Sequence, residues 1–330
     1  MKYNKLITRA AKTSLLLIFL SFFACGNSQK KEKMTKTDTI QSEPFFKLSL
    51  AQWSFNKQIR SGEMSPLDFA QKASELGFEG IEYVSQLYTN ELKKGDNPKE
   101  AMQTLLNTLK EKSESYGVYN LLIMVDGEGD LASIEENERD EAVEKHKKWV
   151  DAAAFLGCHS IRVNLFGTND PEVWTQSAID GLSKLAAYAE TKHINVLVEN
   201  HGWLSSDVPV LMNVIKTVGK SNCGTLPDFG NWCIKRPEGV RWGECLEEYP
   251  DKYEGVKLMM RAAKAVSAKS YDFDENGDET TIDYVRMLQI VKEVGYKGFI
   301  GVEYEGSRLS EEEGVVATKK LLLAASKKLN

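Results

Sequence analysis

The segment Val196-Leu197-Val198-Glu199-Asn200-His201-Gly202 decides how the rest of the chain is interpreted. Its short apolar run is rich in β-branched residues, which is typical of a strand buried on both faces. The strand ends in Glu199, Asn200 and His201, polar groups that cost free energy to bury without partners. The same pattern occurs where apolar runs end in Asp228 and in Glu303-Tyr304-Glu305. Three strand ends therefore carry carboxylates.

Around this segment, strand-like and helix-like patterns alternate along the chain from residue 46 to residue 328. Regular alternation with right-handed crossovers predicts a parallel sheet, and eight such units favour a closed barrel over an open sheet. The predicted fold is an α/β (β/α)8 TIM barrel over 44–330. Its predicted strands are 46–53, 78–84, 121–125, 161–165, 196–202, 224–228, 266–271 and 299–304, and its helices are 66–76, 98–116, 134–156, 171–191, 208–218, 249–263, 282–294 and 311–328.

Three glycines, Gly77, Gly157 and Gly295, each follow a helical segment and precede a strand. Glycine adopts the left-handed conformation that commonly closes a helix. These positions predict the short turns at the end of the barrel opposite to the active site.

The composition indicates a large globular domain that does not bind nucleic acid. The 330 residues are 42% hydrophobic, and the formal net charge is −6. Removal of the four basic residues among the first 24 would make the charge −10. Nucleic acids bind proteins through clustered Lys and Arg that neutralise the phosphates, so this negative net charge argues against nucleic acids as partners.

The N-terminal residues 1–24 resemble a secretory signal, with basic residues before a short apolar run. Cys25 directly follows Ala24, as in a bacterial lipoprotein box, although Phe22 departs from the usual Leu. We expect lipidation of Cys25 and export to the cell envelope, the lipid being the sole membrane anchor; the alternative is a plain exported protein. The polar segment 25–43 predicts a flexible tether.

The remaining cysteines, Cys158, Cys223, Cys233 and Cys245, contain no C-x-x-C pair and do not predict a zinc site. Cys233 and Cys245 lie in one loop-like stretch and can bridge in an oxidising compartment. Free buried thiols are the favoured prediction.

In a TIM barrel the active site lies at the carboxyl ends of the strands. Charged and polar residues are concentrated at these strand ends. A barrel rarely buries so many charged groups at one rim unless they serve a function. The candidates are Glu82, Arg162 with Asn164, Glu199 with His201, Asp228 with Asn231, Lys269, and Glu303 with Glu305.

From residue 46 to residue 329 the chain resembles the xylose isomerase-like barrels grouped as sugar phosphate isomerases and epimerases. The resemblance rests on Gly-Phe-Glu-Gly-Ile-Glu ending at Glu82, Val-Glu-Asn-His around Glu199, the strand end at Asp228, and Gly-Tyr-Lys-Gly-Phe-Ile-Gly-Val-Glu-Tyr-Glu ending at Glu305. It implies a divalent cation (manganese, zinc, cobalt or magnesium) held by Glu199, Asp228 and Glu303. Three converging oxygen donors repel one another unless a cation neutralises them.

Two positions depart from the family pattern. Strand seven of many members reads His-x-Lys-Asp, where this chain has Ser267-Ala268-Lys269-Ser270, and Asn231 stands where strand six often has a His. Either the carboxylates and water hold the metal, with His201 as a further candidate ligand, or tight metal binding is lost. In the second case Lys269 would supply the positive charge that stabilises an enolate.

The expected activity is that of a sugar isomerase or epimerase. It would remove a proton next to the carbonyl of a free or keto sugar, with Glu199, Glu303 and Lys269 as catalytic residues and a small carbohydrate as substrate. Two alternatives remain: a lyase acting on keto-glycosides, and a non-catalytic carbohydrate-binding lipoprotein. The predicted substrate-binding residues, each of which also has a purely structural interpretation, are His201, Arg162, Asn231, Glu82 and Trp203.

Overall fold

The structure, a computed structural model, describes residues 43–237 and 240–329. The predicted signal peptide, the predicted lipidation site Cys25 and nearly all of the predicted tether lie outside these residues. Within the described part of the chain, no helix has the length and apolarity to cross a membrane.

The centre of the fold is one eight-stranded parallel sheet, which confirms the predicted TIM-barrel fold. Its strands are β1 (Lys47–Ala51), β2 (Gly80–Val84), β3 (Tyr119–Val125), β4 (Ser160–Val163), β5 (Asn195–Glu199), β6 (Cys223–Leu226), β9 (Val266–Ser270) and β10 (Phe299–Tyr304). They lie in the order β6-β5-β4-β3-β2-β1-β10-β9. Consecutive strands are neighbours because each helical crossover returns the chain beside the strand it left.

The sheet curls so that β6 and β9 meet. Two isolated parallel bridges, Thr225 with Ala263 and Asp228 with Ser267, join these edges. Pro227 lies between the bridges and has no N–H to donate, but its carbonyl accepts a hydrogen bond from the Ser267 N–H at 3.0 Å. The barrel therefore closes at the strand that carries Asp228.

Helices surround the sheet and bury its outer face. The predicted helices are present within a few residues, and two further short ones, α1 and α3, lie in segments whose composition does not predict them. The helices are α1 (Asn56–Ser61), α2 (Phe69–Glu75), α3 (Thr89–Leu92), α4 (Pro98–Tyr116), α5 (Glu136–Leu156), α6 (Pro171–Glu190), α7 (Val208–Val218), α8 (Lys252–Met259), α9 (Tyr284–Glu293) and α10 (Glu311–Lys327).

Sequence signals at the helix ends explain these boundaries. Pro98 and Pro171 occupy the first turn, where a missing N–H costs nothing, and α10 begins with a capping box between Ser310 and Glu313. The three glycines predicted to close turns, Gly77, Gly157 and Gly295, have φ values of +70°, +78° and +76°.

A short antiparallel ribbon, β7 (Cys233–Lys235) with β8 (Glu247–Glu248), lies beyond the carboxyl end of β6. A disulfide joins Cys233 to Cys245 within it. The prediction that free thiols are favoured here is therefore wrong: the ribbon pairing brings the two cysteines together, which their spacing alone could not show. Cys158 and Cys223 are free and buried, as predicted.

Candidate active site

Three carboxylates converge at the carboxyl ends of the strands. Glu199 ends β5, Asp228 follows β6 and Glu303 belongs to β10. All three are buried, and one oxygen from each lies within 4.8 Å of the other two. The three carboxylates that the strand-end pattern identified are therefore close together, because parallel strands bring their carboxyl ends to the same rim.

Asp228 is held by backbone and amide groups. Its Oδ1 accepts hydrogen bonds from the N–H groups of Gly230 and Asn231 at 2.8 and 3.0 Å. The Asn200 side chain accepts from the Asp228 N–H at 2.7 Å and donates to the Asp228 carbonyl at 3.0 Å. Oδ2 is buried and has no hydrogen-bond partner in the described part of the chain. Burial raises the pKa of Asp228 to about 7.

Glu199 is placed between a cation and an amide. Arg162 Nε forms an ion pair with its Oε2 at 2.8 Å, and Asn231 Nδ2 donates to its Oε1 at 3.1 Å. Burial raises the pKa of Glu199, against the opposing effect of the Arg162 charge.

Glu303 shares the ammonium group of Lys269 with its neighbours. Lys269 Nζ lies 3.0 Å from Glu303 Oε1, 3.1 Å from Glu305 Oε1 and 3.9 Å from Asp228 Oδ2. Ser267 Oγ donates to Glu303 Oε2 at 3.1 Å. Burial raises the pKa of Glu303 to about 8, although Lys269 lowers it. Burial disfavours the charged form of Lys269, but Glu303, Glu305 and Asp228 outweigh this and raise its pKa.

Asp126, directly after β3, is a site residue that the sequence pattern did not identify. Arg162 Nη1 and Asn164 Nδ2 donate to its Oδ1 at 2.9 and 2.6 Å. Burial opposes ionisation, but the Arg162 charge and the hydrogen bonds from Arg162 and Asn164 lower the pKa of Asp126 below its ordinary value. Asp126 has the same sequence feature as the predicted site residues, a carboxylate at the end of a strand, but the following Gly127 made a turn the favoured interpretation.

His201 is a neutral imidazole in this network. Its Nδ1 lies 2.6 Å from Asn164 Oδ1, which also accepts from Arg162. Because the Asn164 amide donates its NH₂ to Asp126, the oxygen faces His201, and Nδ1 must carry the proton. Burial and then the Arg162 charge lower the pKa of His201 to about 3.

Glu82 lies buried on β2. Its Oε1 accepts a hydrogen bond from Ser49 Oγ at 2.7 Å, while Oε2 has no such partner among the residues described. Burial raises the pKa of Glu82 to about 8, against the Ser49 hydrogen bond.

A cavity of about 940 Å³ opens above these groups. Of the predicted site residues, Arg162, His201, Asn231 and Glu303 line it, whereas Glu82, Glu199, Asp228 and Lys269 are absent from its lining. Trp203 was predicted to bind substrate here, but it lines a separate cavity of about 330 Å³, because the backbone turns at Gly202 and carries the indole away. Trp53, an aromatic near a strand end, also lines the cavity, as do Arg241, Trp242 and Tyr271, which no strand-end pattern indicates.

The cluster fits a divalent cation by its donor chemistry. Its three carboxylate groups supply the hard oxygen donors that magnesium and manganese prefer. Among the described residues, the buried Asp228 Oδ2 accepts no hydrogen bond that a cation would have to displace. The surroundings are rich in acid: the carboxyl groups Glu82, Asp126, Glu199, Asp228, Glu303 and Glu305 accompany two permanent cations, Arg162 and Lys269. Ser267 and Asn231, at the two positions that depart from the family pattern, hydrogen-bond to cluster carboxylates.

A family model described as xylose isomerase-like TIM barrel matches residues 70–325. A comparison with curated proteins finds no match.

Solved structures share the fold at low sequence identity. A D-tagatose 3-epimerase-like protein is 18% identical with a TM-score of 0.64, and the match covers 86% of this chain and 100% of the other. A sugar phosphate isomerase/epimerase from Parabacteroides distasonis is 16% identical with a TM-score of 0.61, covering 86% and 96%. A zinc-bound IOLI protein is 17% identical with a TM-score of 0.61, covering 86% and 99%. The match of the family model over most of the barrel shows that this chain belongs to the xylose isomerase-like TIM barrel family.

Proposed function

We propose that this protein is a metal-dependent sugar isomerase or epimerase that removes a proton next to the carbonyl of a free or keto sugar. The observation that carries the proposal is the convergence of Glu199, Asp228 and Glu303 within 4.8 Å, next to a cavity of about 940 Å³. The isomerases and epimerases among the structural neighbours support the same class of reaction.

Glu303 is the carboxylate that we assign as the base. It is the member of the cluster that lines the cavity, and Lys269 and Ser267 fix its two oxygens. A fixed carboxylate facing the substrate carbon can take a proton without reorganising. Lys269 also keeps a positive charge beside the carbon from which the proton leaves.

We assign the return of the proton to Glu199, which does not itself line the cavity but has an oxygen within 4.8 Å of Glu303, which does. It approaches from β5, while Glu303 approaches from β10, so the two belong to different sides of the barrel wall. Removal of the proton by one group and its return to the other face of the same carbon inverts that carbon. Return to the neighbouring carbon moves the carbonyl instead, so the same pair supports both reactions.

Arg162, His201 and Asn231 present polar groups along the cavity and would orient the sugar hydroxyls. The neutral His201 ring can accept a hydrogen bond at Nε2, since Nδ1 carries the proton. A cation held by Glu199, Asp228 and Glu303 would polarise the carbonyl and so acidify the adjacent C–H.

The test combines solvent exchange with metal analysis. We expect keto-hexoses in deuterated water with manganese to gain deuterium at the carbon next to the carbonyl, as measured by proton NMR. Glu303→Gln should abolish exchange, and Glu293→Gln, on the exposed surface of α9, should not change it. Elemental mass spectrometry should find one divalent ion per chain and none in Asp228→Ala. Exchange that persists in Glu303→Gln would refute its role as the base.

A lyase acting on a keto-glycoside is the second candidate, favoured by a cavity larger than one sugar ring needs. It starts with the same proton removal: the C–H electron pair forms a C=C bond as the glycosidic C–O bond breaks. The aglycone then leaves as an alcohol after taking a proton. Release of that alcohol, with an unsaturated keto sugar left behind, distinguishes this reaction from epimerisation.

We also propose that the protein is exported and anchored by a lipid on Cys25. The support is the basic and apolar run that precedes this cysteine. Metabolic labelling with a clickable fatty acid should mark the full chain, and Cys25→Ser should remove both the label and the membrane association. Labelling that survives this substitution would refute the anchor.

A further inference from the structure

We infer that the active-site cavity binds its keto sugar as part of a disaccharide, with the second ring stacked on Trp242 in an outer subsite. This inference rests on the proposed function, since it names the substrate class of the same site.

The first observation is the extent of the cavity. Clefts for drug-sized ligands span about 300–1,000 Å³, and this one, at about 940 Å³, is near the top of that range. Glu303, Arg162 and Asn231 line its inner part. The lining also includes Glu138 and Lys145, seven residues apart on α5 and so separated by about 10 Å along the helix. A single sugar ring held next to Glu303 would leave this outer part to solvent.

The second observation is the environment of Trp242. Its side chain is 51% exposed although it contacts two rings, His201 at 4.9 Å and Phe166 at 5.3 Å between centroids. His201 belongs to the polar network of the inner part of the cavity. The Trp242 indole, which contacts the His201 ring, therefore lies where the inner part meets the outer part. A large aromatic surface beside a polar site offers a stacking face for the apolar side of a sugar ring.

The third observation is that Trp242 is held in place. The neighbouring Arg241 guanidinium lies 4.4 Å from the Phe166 ring centre and forms an ion pair with Asp130 at 2.7 Å. The Cys233–Cys245 disulfide ties the same segment to the ribbon. Because the Trp242 indole is already held in place, it loses little conformational entropy when a sugar binds, so more of the contact energy contributes to affinity in the outer subsite.

The fourth observation concerns the opposite side. Trp53 follows β1, and in the closed order of strands β1 lies across the barrel from β5, which carries His201 at its end. Trp53 also lines the cavity, with the Arg60 guanidinium 4.7 Å from its ring. The charged residues of the outer part, Glu138, Lys145 and Arg236 among them, favour a second ring that carries hydroxyls over an apolar aglycone.

Binding is measured by calorimetry on the full chain, with a keto-disaccharide and the matching keto-monosaccharide as probes. We expect the disaccharide to bind at least tenfold tighter. Trp242→Ala should weaken its binding about tenfold, corresponding to about 1.4 kcal/mol, and should weaken monosaccharide binding far less. Tyr119→Ala is the matched control, an aromatic residue 61% exposed at the start of β3, and should change neither.

The role of the disulfide is tested by the double variant Cys233→Ser with Cys245→Ser. Since it would release the platform without removing the indole, we expect it to weaken disaccharide binding selectively. Circular dichroism at the working temperature confirms that each variant is folded.

Equal affinity for the two probes, or an equal loss for both in Trp242→Ala, would overturn the inference. Deuterium exchange is recorded on the same samples and tests the proposed function separately. Tighter disaccharide binding without exchange of either sugar would support the outer subsite and refute the isomerase. Deuterium exchange with equal affinities for the two probes would support the isomerase and refute the outer subsite.

Discussion

Replacing Glu82 by Gln should stabilise the metal-free protein at alkaline pH. Glu82 is 2% exposed, and burial raises the pKa of its carboxyl from 4.5 to about 8, despite the hydrogen bond from Ser49. Between these two pH values the unfolded chain has lost the proton while the folded chain keeps it. The free energy of unfolding therefore falls as the pH rises through this window.

The magnitude follows from the size of the shift. At about 1.4 kcal/mol per pH unit, a rise from 4.5 to about 8 corresponds to about 5 kcal/mol. Gln keeps the shape and can still accept the Ser49 hydrogen bond at Oε1, but it does not titrate. The advantage of Glu82→Gln should be close to zero at pH 4.5 and approach its full value at pH 9.

Urea unfolding in the presence of a chelator, at intervals from pH 5 to pH 9, measures this difference. Glu293→Gln serves as the control, because its side chain is exposed on α9 and its stability curve should run parallel to that of the wild type. An advantage of Glu82→Gln that does not change with pH would refute the reasoning, since it would show that the buried carboxyl is not the titrating group.

Other substitutions test the remaining contacts. Lys269→Met should lower the free energy of unfolding by about 3–5 kcal/mol in urea, because it leaves buried carboxylates without their shared cation; an unchanged midpoint would contradict this. Asp126→Asn should cost about 2 kcal/mol in the same assay, since Arg162 loses a charged hydrogen-bond acceptor, and a neutral result would mean that Arg162 is satisfied elsewhere. Gly301→Ala should lower the melting temperature, because its Cβ would lie 2.5 Å from the Glu82 carboxylate; an unaltered melting curve would show that this carboxylate can move.

The position of the candidate site could be predicted from the sequence because it depends on chain order alone. In a parallel barrel every strand delivers its last residues to the same rim, so Glu199, Asp228 and Glu303 had to be neighbours once the strands were identified. The structure brings them within 4.8 Å of one another. No knowledge of side-chain conformation was needed for that step.

Other features depend on distances that a strand pattern does not contain. Trp203 is two residues beyond His201, yet it lines a different cavity from the one that His201 lines. The disulfide forms because a two-strand ribbon brings Cys233 beside Cys245, and the length of the loop between them permits this without requiring it. Such outcomes are set by the local backbone path, which short irregular segments do not encode in a periodic signal.

The two departures from the family pattern gain a physical meaning from the contacts of the replacing residues. An imidazole at position 267 or 231 would supply a neutral nitrogen donor to a cation. Ser267 and Asn231 instead donate hydrogen bonds to Glu303 and Glu199, so each stabilises the charge of a carboxylate. Lys269 lies 3.0 Å from Glu303 and Arg162 lies 2.8 Å from Glu199, whereas Asp228 Oδ2 accepts no hydrogen bond in the described part of the chain and has only Lys269, at 3.9 Å, as an ion-pair partner. Asp228 is therefore the carboxylate on which cation binding should depend most strongly, and this is the reason for choosing it for the metal analysis.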